Sequence, residues 1–265
     1  MNIQEDFETM NHLVSAYSMA NQTEKALETL NRMVEMEPEH IQTLLTRVSV
    51  LFMLDKEAEV IADCLRVIEL DESNHLAWFL MAKAKRTTGD QLGAIADLTK
   101  AIALKDDFTD AYLLRAEVLL AMKQGQEALP DIEKAISLAP EEETTYLVRG
   151  KIHESLGDLD AATDDYQQAL DLNPFNEDAC ILKGSLLITK NLLDEAIVFF
   201  DEAIEIKPDF AKAYAERGRA KNQKGDKEGA FEDLKKSIEL NPEGEEAKKF
   251  EGQHANFENK TYMPF

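Results

Sequence analysis

A period of 34 residues constrains this chain more than any other feature of it. It is clearest in residues 143–176, which read as two amphipathic helices. Tyr146, Gly150 and His153 fall on one stripe before Gly157 breaks the pattern, and Ala162, Tyr166 and Ala169 form a second stripe that ends at Pro174. A hairpin of that size buries too little apolar surface to offset an ordering entropy of roughly 1–2 kcal/mol per residue. It needs neighbours of its own kind, and stepping one period in either direction finds them. Units start at Phe7, Ile41, His75, Thr109, Glu143, Glu177 and Ala211, with no insertion or deletion between them.

Counting within the unit, position 8 is Val14, Val48, Ala82, Ala116, Gly150, Gly184 and Gly218. Position 20 is Ala26, Val60, Ala94, Ala128, Ala162, Ala196 and Ala230. Small residues on both helices let two backbones approach closely. Position 32 is Pro38, Glu72, Asp106, Pro140, Pro174, Pro208 and Pro242, and proline there suits the end of one helix and the entry to the next. Gly89, Gly157 and Gly225 fall between the two helices of their units. There they are expected to take the left-handed conformation, with Asn21 doing the same in the first unit.

The period, the small residues at positions 8 and 20, the bulky residues at position 24 (Leu30, Leu98, Tyr166, Phe200) and the terminal prolines resemble the tetratricopeptide repeat family. The resemblance implies an all-α fold, a right-handed superhelical α-solenoid of helix-turn-helix repeats at 7–40, 41–74, 75–108, 109–142, 143–176, 177–210 and 211–244. An N-terminal extension is expected at 1–6, a capping helix at 245–254 with Ala247 and Phe250 facing inward, and a tail without period at 255–265. Two copies depart from the pattern. Repeat 2 has Cys64 and Glu72 at signature positions, and repeat 4 carries Pro130, which is expected in a first turn or at a local distortion.

Comparing units predicts a further contact. Position 7 is arginine in repeats 2, 4, 5 and 7 (Arg47, Arg115, Arg149, Arg217), and position 23 of the same units is aspartate (Asp63, Asp131, Asp165, Asp233). Repeat 1 has Leu13 with Thr29 and repeat 6 has Lys183 with Phe199, while repeat 3 has Met81 with Asp97. A charge-assisted pair between the two helices of a unit is expected, on the order of 1 kcal/mol and architectural in role.

The formal net charge of −23 disfavours nucleic acid and anionic membrane surfaces as partners. The excess is uneven, because repeats 3 and 7 are slightly basic while the other five are acidic. Cys64 and Cys180 fall at core positions and read as packing residues, and so does Trp78 at position 4 of repeat 3. Met1 to Asp6 is polar and acidic, so no leader or membrane span is visible and a cytoplasmic residence is expected. A secreted or periplasmic chain trimmed of its leader would read the same way.

No catalytic constellation emerges. His12, His40, His75, His153 and His254 occupy unrelated repeat positions, so no metal site is expected. The acidic run Asp158 to Asp165 lacks the glycine and terminal glutamate of a calcium loop. No phosphate-binding loop or nucleophile elbow is present, and neither an enzyme nor a cofactor is expected.

The resemblance instead implies a concave groove lined by first helices at positions 2, 5, 9 and 12. Position 5 offers Leu45, Phe79, Leu113, Leu147 and Ile181 in consecutive units, and position 12 adds Phe52 and Leu120 beside Arg86. Position 9 supplies Lys83, Glu117, Lys151 and Arg219. This row reads either as an open binding face or as a rim packed against neighbouring first helices. An open face would suit a protein or peptide with apolar anchors and a mild negative charge. The lysine and asparagine pattern of the family's chaperone-tail clamp is missing, as is an asparagine ladder along position 6. The leading expectation is therefore a non-enzymatic adaptor or scaffold that binds a partly apolar peptide or helix. The alternative is a self-associating assembly module that uses its open ends or the tail residues Phe257, Tyr262, Met263 and Phe265.

Overall fold

The computed structural model describes residues 3–244, with side chains from residue 6 onward. All regular structure among these residues is helical. The contacts divide the chain into two compact units, residues 1–139 and 140–265. The period runs through that boundary without marking it.

Unit 1 contains α1 (Ile3–Met19), α2 (Thr23–Met36), α3 (Ile41–Phe52), α4 (Glu57–Leu70), α5 (His75–Thr87), α6 (Gln91–Leu104), α7 (Thr109–Ala121) and α8 (Gly125–Leu138). Unit 2 contains α9 (Glu143–Ser155), α10 (Leu159–Leu172), α11 (Glu177–Thr189), α12 (Leu193–Ile206), α13 (Ala211–Lys224) and α14 (Lys227–Leu240). From α3 onward every first helix begins at the residue where its repeat was expected to start. The N-terminal extension is not separate, because α1 already begins at Ile3. The expected capping helix at 245–254 and tail at 255–265 lie outside the described residues.

Inside each unit, the two helices of a repeat pack on each other, and each second helix packs on the following first helix. What lets the chain turn between the paired helices is a left-handed residue at position 15. Gly89, Gly157 and Gly225 adopt it, and Asn21 does so at φ 53°. Asp55 and Asn191 share the conformation at 52° and 59°, which short polar side chains tolerate, and Lys123 shares it at 62°. At Lys123 register has prevailed over residue preference. Three of these turns lead into an aspartate N-cap: Asp90, Asp158 and Asp226 accept from the amides of Gly93, Ala161 and Gly229.

Pro130 lies in the second turn of α8, which runs unbroken from Gly125 to Leu138, so the expected first-turn position is not found. Its side chain is exposed, and the missing amide removes one bond from the helix without opening a hole in the core.

The contact between paired helices keeps its volume by exchange. Where position 8 is Val14 or Ala82, position 24 is Leu30 or Leu98, and all four are buried. Where position 8 is Gly150 or Gly184, the partner is Tyr166 or Phe200, both fully buried, whereas Gly218 faces Asp233 and Leu234. A Cβ on Gly150 would stand 2.5 Å from Tyr166 Cε1, and one on Gly184 would stand 2.5 Å from Phe200 Cε1. Each ring therefore lies flush on the opposing backbone, a burial worth about 1.5–3 kcal/mol. The Tyr166 hydroxyl reaches Glu154 Oε2 at 2.9 Å. Burial, reinforced by that carboxylate, pushes the phenol well above the ordinary tyrosine range.

Both cysteines are buried as expected. Burial, aided by Asp63, raises the Cys64 thiol to about 12, and burial next to Glu202 raises Cys180 to about 11, which leaves both inert. Trp78 is half-buried and donates its indole N–H to the Glu72 carbonyl at 3.2 Å. Tyr146 and Tyr214 occupy the same repeat position and donate their hydroxyls to the carbonyls of Pro140 and Pro208. An aromatic at position 4 thus fixes the approach of its own helix.

Candidate functional site

Charged groups between the helices come first, because they separate architecture from a binding surface. All four expected pairs form, and each is bidentate: the nearest contacts of Arg47, Arg115, Arg149 and Arg217 with Asp63, Asp131, Asp165 and Asp233 are all 2.6 Å. In three of them a further guanidinium nitrogen reaches back to position 25 of the preceding repeat. Its partners are Asn31 at 3.0 Å for Arg47, Thr99 at 2.9 Å for Arg115 and Asp201 at 2.5 Å for Arg217. One side chain thus ties both helices of its repeat and the repeat before it. Asp131 raises Arg115, and Asp233 with Asp201 raises Arg217.

That third arm was not anticipated from sequence, yet a signal for it exists. The only preceding position-25 residue that is apolar, Leu65, comes before Met81, the repeat that lacks a cation at position 7. Repeat 3 recovers a pair differently, with Lys85 placed 2.7 Å from Asp97. Repeat 6 has no aspartate to meet. There Lys183 is buried, bonds Gln167 of the preceding repeat and lies 4.5 Å over the Phe199 ring. Burial lowers its ammonium below the ordinary lysine range.

Three first helices of unit 1, α3, α5 and α7, carry most of the expected groove residues. Leu45, Phe79 and Leu113 lie at one register and are half-buried, as are Phe52 and Leu120 one turn or more further along. Phe79 leans on Phe108, with ring centroids 4.9 Å apart. Lys83 is exposed, its ammonium 5.2 Å from the Phe52 ring centroid. Arg86 bridges to Glu117 at 2.6 Å, joining α5 to α7. The surface is therefore an apolar row of half-open side chains with one ion pair across it and one lysine beside it.

In unit 2 the same register is closed. Leu147 is 7% exposed and Ile181 only 1%, and both belong to one apolar cluster with Leu186 and Ile188. The expected open row is therefore not continuous. α13 lies directly against α11, and Ile181 is covered in an apolar cluster that includes Ala213 and Ala220 of α13. At these two residues the row is a packed rim. Lys151 and Arg219 remain exposed, with Arg219 held 2.5 Å from Glu216 on its own helix. Among the described residues no group of three or more His, Cys, Asp or Glu side chains could hold a metal ion. No described helix is long and apolar enough to cross a membrane.

Comparisons with known proteins agree with this geometry. The tetratricopeptide repeat description matches residues 144–176 in one form and residues 109–142, 177–210 and 211–243 in another, together just over half of the chain. The chain belongs to the tetratricopeptide repeat family, whose general role as a protein-interaction scaffold it shares. No curated protein matches it significantly. Among solved structures, MamA is 26% identical, with a TM-score of 0.55 over 63% of this chain and 91% of its own. YrrB, described as a TPR protein with an unusual peptide-binding site, is 24% identical, with a TM-score of 0.54 over 71% of this chain and 97% of its own. A tetratricopeptide repeat protein from Parabacteroides merdae shares the fold at 15% identity, with a TM-score of 0.76 over 92% of this chain and 97% of its own.

Proposed function

We propose that this chain is a non-enzymatic adaptor that holds an extended partner segment along α3, α5 and α7 of unit 1. The observation that carries the reading is the register of Leu45, Phe79 and Leu113, three large apolar side chains left half-open at one level of three adjacent first helices. Phe52 and Leu120 extend the row along the helices. The partner offers apolar anchors, with a mild negative charge directed at Lys83. Arg86 is already neutralised by Glu117 and adds orientation more than attraction. YrrB, which is similar in fold, is a TPR protein with a peptide-binding site, and this supports peptide capture as the mode.

The test is selection of a displayed random peptide library on the whole chain. Selected peptides are expected to carry two or more spaced apolar residues next to an acid. They are expected to lose on the order of tenfold or more in affinity on the variant carrying Phe79→Asp and Leu113→Asp. Circular dichroism checks that this variant remains folded, and undiminished affinity on the folded variant would reject the reading.

A further inference from the structure

Unit 2 has a second opening, away from the first-helix row. A cleft of about 650 Å³ lies between the α10–α11 connection and α12, lined by Pro174, Phe175, Glu202, Glu205 and Ile206. Phe175 is 76% exposed. Glu202 and Glu205 are both exposed, and neither pairs with a cation among the described residues.

The other repeats explain why this is unusual. Position 33, where Phe175 stands, is elsewhere Glu39, Ser73, Asp107, Glu141, Asp209 or Glu243. Position 26, where Glu202 stands, is Arg32, Arg66, Lys100, Lys134 or Lys236 in five of the other six repeats and Gln168 in the sixth. The cation at position 26 serves the carboxylates around it. Arg66 meets Glu69 at 2.9 Å and Glu39 at 3.4 Å, Lys100 meets Glu72 at 3.4 Å, and Lys236 meets Glu239 at 3.7 Å. Repeat 6 keeps a carboxylate at position 29, Glu205, but replaces the internal cation by a second carboxylate. The repeat before it exchanges the acid at position 33 for a phenylalanine ring. The cleft thus has the anionic half of an ion pair that the chain completes by itself at these other junctions, and an apolar floor beside it.

We infer that this cleft receives an arginine or lysine side chain of a partner protein, its aliphatic stem laid on Phe175 and Ile206 and its charge set between Glu202 and Glu205. A guanidinium would gain most, because it can bond two carboxylates and stack on the ring at once. The cleft belongs to unit 2 and shares no residue with the apolar row of unit 1.

Three synthetic ten-residue peptides test this, identical except for a central Leu-Arg-Phe, Leu-Gln-Phe or Leu-Glu-Phe, with binding to the whole chain read by fluorescence anisotropy. The arginine peptide is expected to bind on the order of tenfold more tightly than the glutamine peptide. Glu202→Lys restores the charge found in most other repeats. The introduced lysine can pair with Glu205, so the fold should hold while the preference disappears. Phe175→Ser, the residue of repeat 2, should weaken the arginine and glutamine peptides alike. Glu228→Lys, at an exposed position of α14, is the charge-matched control and should leave the preference intact. The inference is overturned if the wild type does not discriminate, or if the preference survives Glu202→Lys. It is equally overturned if Glu228→Lys removes the preference as fully, since net charge then accounts for it. If the wild type alone self-associates in sedimentation and Glu202→Lys makes it monomeric, the occupant is a second copy and not a separate partner.

Discussion

Repeats 3 and 5 have helices of equal length set around the same register, yet Ala82 and Leu98 fill the contact in one where Gly150 and Tyr166 fill it in the other. The same contrast separates the two units more widely. In unit 1 neither glycine nor an aromatic ring stands at positions 8 and 24, and Leu45, Phe79 and Leu113 stay half-open. In unit 2 the Tyr166 and Phe200 rings press on glycine while Gly218 meets Leu234, and the row is shut at Leu147 and Ile181. A repeat unit therefore fixes the spacing of helices while leaving free how volume is divided across each contact. A binding face read from register alone is drawn too long, because the row is half-open in unit 1 and closed at Leu147 and Ile181.

The largest expected effect tests the exchange of volume directly. Gly150→Ala would drive a methyl into the Tyr166 ring and is expected to cost about 2 kcal/mol even after the gain in helix propensity. Adding Tyr166→Leu recreates the pairing of repeat 3 and should recover most of that loss, as measured by urea unfolding. Additive losses would mean that the two positions are not complementary.

Next in size is the contrast between aspartates at position 23. Burial alone would raise Asp233, but hydrogen bonds from Arg217 and Lys221 outweigh it and hold its carboxyl below the usual range. Burial does raise Asp97, and Lys85 only partly opposes it. Asp233 therefore contributes stability at neutral pH that is lost as pH falls through its lowered pKa. The charged form of Asp97 is a cost at neutral pH, relieved as pH falls through its raised one. Asp233→Asn is expected to destabilise by about 2 kcal/mol at pH 7, whereas Asp97→Asn should change stability by less than about 0.5 kcal/mol. On acidification the Asp97→Asn chain should lose ground to the wild type first, because Asp97 protonates at higher pH. Thermal unfolding from pH 7 down to pH 3 checks both signs, and equal losses for the two variants at pH 7 would contradict the contrast.

The smallest effect concerns the turns. Lys123 holds a left-handed conformation that Gly157 holds without strain at the equivalent place in unit 2. Lys123→Gly should stabilise by about 0.5–1 kcal/mol, and Gly157→Lys should destabilise by a similar amount. Differential scanning calorimetry reads both, and no change in either would remove register as the cause of the positive φ.

Much of the fold was legible because the period fixes it. The helix starts at Ile41, His75 and Thr109, and the pairing of Arg47 with Asp63, follow from residues that recur at one register. The reach of the arginines to Asn31 and Thr99 was less visible, since position 25 varies in type and only its polarity is shared. The site was legible in part. Leu45, Phe79 and Leu113 are half-open as an exposed row requires, but Ile181 is buried in a cluster shared with α13, a relation between neighbours that no single unit displays. The cleft at Phe175 was readable from sequence in principle, because Glu202 and Phe175 are the exceptions in their columns. An exception gains meaning, however, only once Arg66 and Lys236 are seen beside carboxylates.

On the proposed reading, protein capture belongs to α3, α5 and α7 of unit 1 and not to the equivalent helices of unit 2. Hydrogen-exchange mass spectrometry of the whole chain, with and without a library-selected apolar-acidic peptide, locates the bound segment. Added protection is expected around Leu45, Phe79 and Leu113, with α11 and α13 unchanged. Protection confined to α11 and α13, or spread evenly through both units, would contradict it.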